Sequence, residues 1–124
     1  MKVLKTAGSI SVTLLLLAAG SLMGQDSGAA RKGDPVKGKE VFRVTACWRC
    51  HDVDTGESKR PPAPSLKGVY QRSSHTLVDG TRHEKHTDEM FRAIISEGTK
   101  AMNPRGAVLT DEEMADLLAY LRTL

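Results

Sequence analysis

The sequence predicts an all-α domain in which three helices and long loops surround a bound ligand. Three segments of the 124-residue chain combine a capping residue with apolar residues on one helical face. No segment alternates convincingly between apolar and polar residues, as a half-buried strand would. Residues 52–86 are rich in Gly, Pro, Ser and Asp, and so long a loop in a small domain usually encloses something.

The first helix is predicted to begin after Asp34 and to run toward Thr45. The aspartate side chain can accept hydrogen bonds from the first free N–H groups, and Pro35 suits the first helical position because its missing N–H is not needed there. Gly38 is unfavourable for helix propensity. It indicates either a close approach of another backbone or a tolerated glycine, and its spacing alone does not distinguish the two.

Two further helices are predicted in the second half of the chain. One begins after Thr87, with acidic residues at the positive end of its dipole, and ends at Gly98. The other begins at Thr110, which forms a capping-box pattern with Glu113. The apolar faces are Met90, Phe91, Ile94 and Ile95 in one helix and Met114, Leu117, Leu118 and Leu121 in the other.

The first thirty residues are predicted to lie outside the domain, which spans residues 31–124. Lys2 and Lys5 precede an apolar run at residues 10–19, and small residues follow, in the order of a secretory signal peptide. Residues 7–23 are almost long enough to span a membrane, so an uncleaved anchor is the alternative. Either interpretation places the domain in the periplasm, free or attached to the membrane.

The segment Cys47-Trp48-Arg49-Cys50-His51 carries the motif for covalent attachment of haem c. Two thiols separated by two residues can add to the two vinyl groups on one edge of a porphyrin. The adjacent histidine then lies under the ring with its imidazole directed at the iron. The motif therefore predicts one haem c, bound through Cys47 and Cys50, with His51 as an iron ligand.

Three other chemistries use a Cys-x-x-Cys pair. A redox dithiol of the thioredoxin type needs a strand–helix setting, and none is visible. A zinc site needs two further ligands, which only His75, His83 or His86 could supply, at irregular spacing. A simple disulfide is the third. The adjacent His51 and the signal peptide favour haem over all three.

The net charge of +3, from 18 basic and 15 acidic residues, is too small to indicate a nucleic-acid binder. The charges are unevenly distributed: residues 31–72 hold 10 basic and 5 acidic residues, and residues 73–124 hold 6 and 9. Both halves can be ordinary solvated surface. The alternative is a basic docking surface, on which Lys59, Arg60 and Lys67 would steer an acidic partner.

Residues 33–124 resemble a class I c-type cytochrome of the monohaem cytochrome c family. Residues 33–42 are similar to the family's first helix, with its glycine and aromatic residue, and residues 116–121 to its last helix. The resemblance implies a cytochrome c-like fold in which these helices cross at right angles, with Gly38 packed against Leu117 and Tyr120.

Two loops share this resemblance. Residues 64–68 are similar to the family's Pro-x-Leu-x-Gly, which implies that the Pro64 carbonyl accepts a hydrogen bond from His51. Residues 98–104 are similar to its methionine loop, which implies that Met102 is the second iron ligand. Met90 and Met114, on apolar helix faces, are expected in the core. The alternatives are a bis-histidine iron, using His75, His83 or His86, and an open iron.

The expected function is single-electron transfer between redox proteins that are met transiently, through a His/Met-ligated haem iron. Because no residue performs bond chemistry, the chain is not expected to be an enzyme. An apolar shell of Phe42, Leu66, Ile94, Leu117 and Tyr120 would keep water from the haem. The alternatives are a ligand-binding or peroxidatic haem protein with an open iron, and a membrane-held subunit of a larger oxidoreductase.

Overall fold

The computed structural model describes residues 31–124, so the predicted signal peptide or anchor in residues 1–30 lies outside the described residues. The described part contains helices α1 (Pro35–Val44), α2 (Asp88–Glu97) and α3 (Asp111–Leu121). It also contains strands β1 (His75–Thr76) and β2 (Arg82–His83), and three-residue helical turns at Cys47–Arg49 and Val69–Gln71. The prediction of an all-α fold is confirmed, and the domain boundary at residue 31 stays a prediction.

All three helices begin where their capping residues predict. The Asp34 carboxylate accepts a hydrogen bond from the N–H of Val36 at 2.8 Å. Thr87 accepts one from the N–H of Met90 at 3.3 Å. Thr110 and Glu113 bond reciprocally, at 3.2 Å to the Glu113 N–H and 2.8 Å from the Thr110 N–H. Each cap satisfies an N–H group that has no partner inside its own helix.

A small antiparallel hairpin interrupts the loop that the sequence predicts over residues 52–86. His75 pairs with His83 and Thr76 with Arg82, and the chain reverses through residues 77–81. Strands of two residues are too short to show an alternating pattern, so they could not be predicted from the sequence. The hairpin places three histidines of the polar segment close together.

Helix α3 forms the centre of the core. Every residue from Met114 to Leu121 is buried, and Leu118 is only 1% exposed. Helix α1 packs against it, with the rings of Phe42 and Tyr120 at 5.6 Å. Phe91 of α2 and Val69 belong to the same cluster. No helix among residues 31–124 has the length and apolarity needed to cross a membrane.

Glycine allows α1 and α3 to touch through their backbones. A Cβ atom on Gly38 would overlap the carbonyl of Asp116 and lie 2.8 Å from the Cβ of Tyr120. Gly33, just before α1, approaches the backbone of Ala115 in the same way. Gly38 is therefore a packing glycine, and its closest neighbours are Asp116 and Tyr120. Leu117, which the resemblance also suggested as a neighbour, is buried in the core.

Candidate haem site

The Cys-x-x-Cys-His segment forms one tight helical turn directly after α1. Ala46 has a φ of 60°, a left-handed conformation that ends the helix and redirects the chain. The carbonyl of Cys47 then accepts hydrogen bonds from the N–H groups of Cys50 at 3.1 Å and His51 at 3.0 Å. Residues three and four apart on such a turn share a face. Both cysteines are free, so two thiols and one imidazole are available on that face.

The ring of His51 is held by a hydrogen bond to the backbone of Pro64. Its Nδ1 lies 2.8 Å from the Pro64 carbonyl oxygen. A carbonyl oxygen only accepts, so Nδ1 must carry the proton and Nε2 keeps its lone pair. That lone pair is the donor that a metal takes from neutral imidazole. Together with the two thiols, these residues fit a covalently attached haem.

Asp52, which follows His51, forms hydrogen bonds with the two residues that follow Pro64. Its carbonyl accepts from the N–H of Leu66 at 2.7 Å, and its carboxylate accepts from the hydroxyl of Ser65 at 3.1 Å. Burial opposes ionisation of this carboxylate, but hydrogen bonds from Gly56, Thr55 and Ser65 outweigh it and lower its pKa to about 2. Asp52 is not among the site residues predicted from the sequence. The Asp52-Val-Asp-Thr-Gly56 pattern of an Asx turn was the signal that could have found it.

Met102 lies in the loop between α2 and α3. The backbones of Thr99 and Met102 bond to each other, at 2.8 Å and 3.3 Å, and the Thr99 hydroxyl accepts from the Met102 N–H at 3.1 Å. Gly98 starts this loop with a φ of 75°, and a Cβ atom there would lie 2.5 Å from the Met102 carbonyl. Met102 is half-buried. Met114 is in the core, and Met90 is partly buried against it, as expected.

The other three histidines lie together at the hairpin. His75 Nδ1 is 2.6 Å from His86 Nε2, and His86 Nδ1 is 2.8 Å from the Arg72 carbonyl. His83 packs against His75, and its Nε2 is buried with no hydrogen-bond partner among residues 31–124. Two of these three candidate ligands are therefore engaged in hydrogen bonds. No group of three or more His, Cys, Asp or Glu side chains in residues 31–124 is arranged to hold a metal ion.

A basic surface adjoins the attachment motif. The Lys59 ammonium donates to the Trp48 carbonyl at 3.1 Å and lies 5.3 Å from the centre of the Trp48 ring. The guanidinium of Arg49 lies 5.8 Å from the same ring. Trp48 is 45% exposed, so this aromatic ring and its cations face solvent. Arg60 and Lys67 are exposed on the neighbouring loop.

Comparison with known proteins gives concordant matches. The family model described as cytochrome c matches residues 35–124. A protein named cytochrome c-553-like, from Synechocystis sp., is 31% identical over 127 residues, covering 95% of this chain and 99% of the relative. A cytochrome c2 from Rhodopila globiformis is 34% identical over 110 residues, covering 78% of this chain and 99% of the relative.

Proposed function

Because the chain belongs to the cytochrome c family, we propose that it is an exported monohaem electron carrier whose iron is held between His51 and Met102. As a family member it is an electron-transfer haem protein with one covalently attached haem c. The haem supplies an iron that gains and loses one electron. The chain's own residues bind, orient and shield that group.

The hydrogen bond from His51 Nδ1 to the Pro64 carbonyl carries the proposal. It fixes the tautomer and the direction of the imidazole, which are what a metal-bound histidine needs from its surroundings. A ring fixed in this way need not reorient when the charge on the iron changes. A ligand that stays in place keeps the reorganisation energy of electron transfer low.

Met102 is the proposed second ligand because hydrogen bonds give its loop a defined conformation. The Thr99–Met102 bonds and the positive φ of Gly98 support this proposal, because they give the start of the loop a fixed shape. The Arg105 N–H then donates to the Ile95 carbonyl at 2.8 Å and returns the chain to α2. His and Met ligation raises the reduction potential relative to two histidines. The polar loop histidines are the competing ligands, and His83 is the one whose Nε2 is unpaired among the described residues.

The ferric optical spectrum of the haem-loaded protein tests the ligand set. We expect the weak long-wavelength band of methionine sulfur bound to ferric iron, and its loss in Met102→Ala. Met90→Leu is the matched control, because it removes a methionine that packs against the core and should keep the band. A wild-type spectrum of the bis-histidine type would contradict Met102, and His83→Ala would then identify the ligand. A high-spin spectrum would indicate an open, ligand-binding iron.

Export and partner choice are the remaining parts of the proposal. The charged, apolar and small-residue order of residues 1–30 supports a signal peptide or anchor. The intact mass of the protein recovered from the periplasm and from the membrane fraction distinguishes a cleaved leader from a retained one. Partners are redox proteins met transiently, and the cations around Trp48 support docking of an acidic surface.

A further inference from the structure

We propose that Asp52 is a positioning residue for the haem iron. Its hydrogen bonds join the segment that follows His51 to the segment that follows Pro64, and so they set the orientation of the His51 ring. The inference rests on the proposed ligation of iron by His51. It adds a residue that neither the motif nor the ligand set contains.

Asp52 joins the two segments through hydrogen bonds to its main-chain carbonyl and to its side-chain carboxylate. The Asp52 carbonyl accepts from the N–H of Leu66 at 2.7 Å and from the hydroxyl of Ser65 at 3.2 Å. The Asp52 carboxylate accepts from the same hydroxyl at 3.1 Å. Ser65 and Leu66 directly follow Pro64, so these bonds fix the position of the Pro64 carbonyl relative to residue 52, and hence to His51.

The same carboxylate oxygen also shapes the loop that separates the two segments. Oδ2 of Asp52 accepts from the N–H groups of Thr55 and Gly56, both at 2.9 Å. The same oxygen therefore stabilises the turn at residues 52–56, where the loop starts, and binds Ser65, where the loop ends. Ser65 is 4% exposed, so its hydroxyl has little access to water as a substitute partner.

The consequence reaches the iron through the His51 ring. A strong hydrogen bond from Nδ1 to a carbonyl increases the electron donation of Nε2 and fixes the plane of the ring. If the Pro64 carbonyl moves away, both effects weaken. Ferric iron depends more on that electron donation than ferrous iron does. Weakening the hydrogen bonds between Asp52 and residues 65–66 should therefore raise the reduction potential.

The test compares four variants of the haem-loaded protein. Asp52→Ala removes the carboxylate, and Asp52→Asn keeps an oxygen that can accept the same bonds. Ser65→Ala removes the hydroxyl but keeps the backbone bond from Leu66. Asp79→Ala is the matched control, because Asp79 forms a comparable turn by accepting from the Thr81 N–H at 2.9 Å, in the hairpin.

Three quantities are measured on each variant: the solvent-exchange rate of the His51 Nδ1 proton in the ferrous protein by NMR, the reduction potential, and global stability to denaturant. For Asp52→Ala we expect exchange at least about tenfold faster, from the loss of several hydrogen bonds, and a higher potential. Asp52→Asn and Asp79→Ala should stay close to wild type in both. Ser65→Ala should accelerate exchange to a smaller extent.

Unchanged exchange and potential in a folded Asp52→Ala protein would overturn the proposal. It would also fall if Asp52→Asn lost as much protection as Asp52→Ala, since charge rather than hydrogen bonding would then be responsible. If Asp52→Ala does not fold, Ser65→Ala decides by the same readouts. Failure of Met102 as a ligand is seen separately in the wild-type ferric spectrum and leaves this comparison intact, whereas a wild-type iron without His51 would contradict the proposed function itself.

Discussion

The hydrogen bond between His75 and His86 assigns a proton to each ring. His86 Nδ1 faces the Arg72 carbonyl, which only accepts, so His86 Nε2 is an acceptor and His75 Nδ1 is the donor. The two rings are 9° from parallel with centroids 4.7 Å apart. With nitrogens 2.6 Å apart, they must lie edge to edge in nearly one plane, a well-aligned geometry.

Acidification should therefore destabilise the protein through His75. Burial lowers the His75 pKa below its usual 6.5, and the neighbouring His86, His83 and Arg72 lower it further. The unfolded chain takes up this proton at higher pH than the folded one, so the stabilising contribution is complete above pH 6.5 and is lost as the pH falls below it. We expect the free energy of unfolding, measured with denaturant from pH 8 to 5, to fall less steeply in His75→Gln. An identical slope in both proteins would contradict this.

The sequence predicted the residues of the motif and missed the residues that hold it. Cys47, Cys50 and His51 are adjacent, so their spacing alone indicates their chemistry. Asp52 acts through Ser65, thirteen residues away, and that pairing exists only after the loop has folded. The contact between His51 and Pro64 has the same separation and was accessible only through the resemblance to a known family.

At the scale of elements, local signals located the helices well. Caps and stops depend on a few neighbouring residues, and α1, α2 and α3 begin after Asp34, Thr87 and Thr110 as predicted. The hairpin was missed because its strands of two residues are too short to show an alternating pattern. Likewise, the position of Gly38 in the sequence did not show whether it is a packing glycine or a tolerated one. Its contact with α3 in the folded structure shows that it is a packing glycine.

Gly38→Ala should destabilise the protein although it improves helix propensity. Propensity alone would stabilise α1 by about 1 kcal/mol. The new Cβ would overlap the carbonyl of Asp116, and forcing the helices apart should cost about 3 kcal/mol. Denaturant unfolding measures the sign directly. Lys39→Ala, at the next and exposed position, serves as the control and should leave stability nearly unchanged, while a stabilised Gly38→Ala protein would mean that the helices do not touch there.

At the scale of the whole molecule, the excess of basic over acidic residues lies in residues 31–72, the half of the domain that carries the haem attachment motif. Lys59 is the clearest example, since it contacts the motif through the carbonyl and ring of Trp48. Surface charges of one sign attract opposite charges over about 8–10 Å at moderate salt. This arrangement favours approach of an anionic reagent to the haem attachment edge.

Lys59→Glu should slow oxidation of the reduced protein by hexacyanoferrate(III) about threefold at low salt. Stopped-flow rates should fall with ionic strength for this anion and rise for the tris(phenanthroline)cobalt(III) cation. Lys37→Glu makes the same change of net charge at a residue that pairs with Glu112, 3.6 Å away, and should have a smaller effect. Equal effects of the two substitutions would show that net charge alone matters, and a rate independent of salt would exclude steering.

The crossing of α1 and α3 also determines how much of the chain must be present before this protein can fold. Asp34 and Asp116, joined by a 2.7 Å hydrogen bond, lie 82 positions apart. A nascent chain that lacks residues 111–121 lacks the helix that supplies most of the buried core and that packs against Val41 and Phe42. Folding is postponed until the last helix has been made. Until then the segment that carries Cys47 and Cys50 is not held against a completed core.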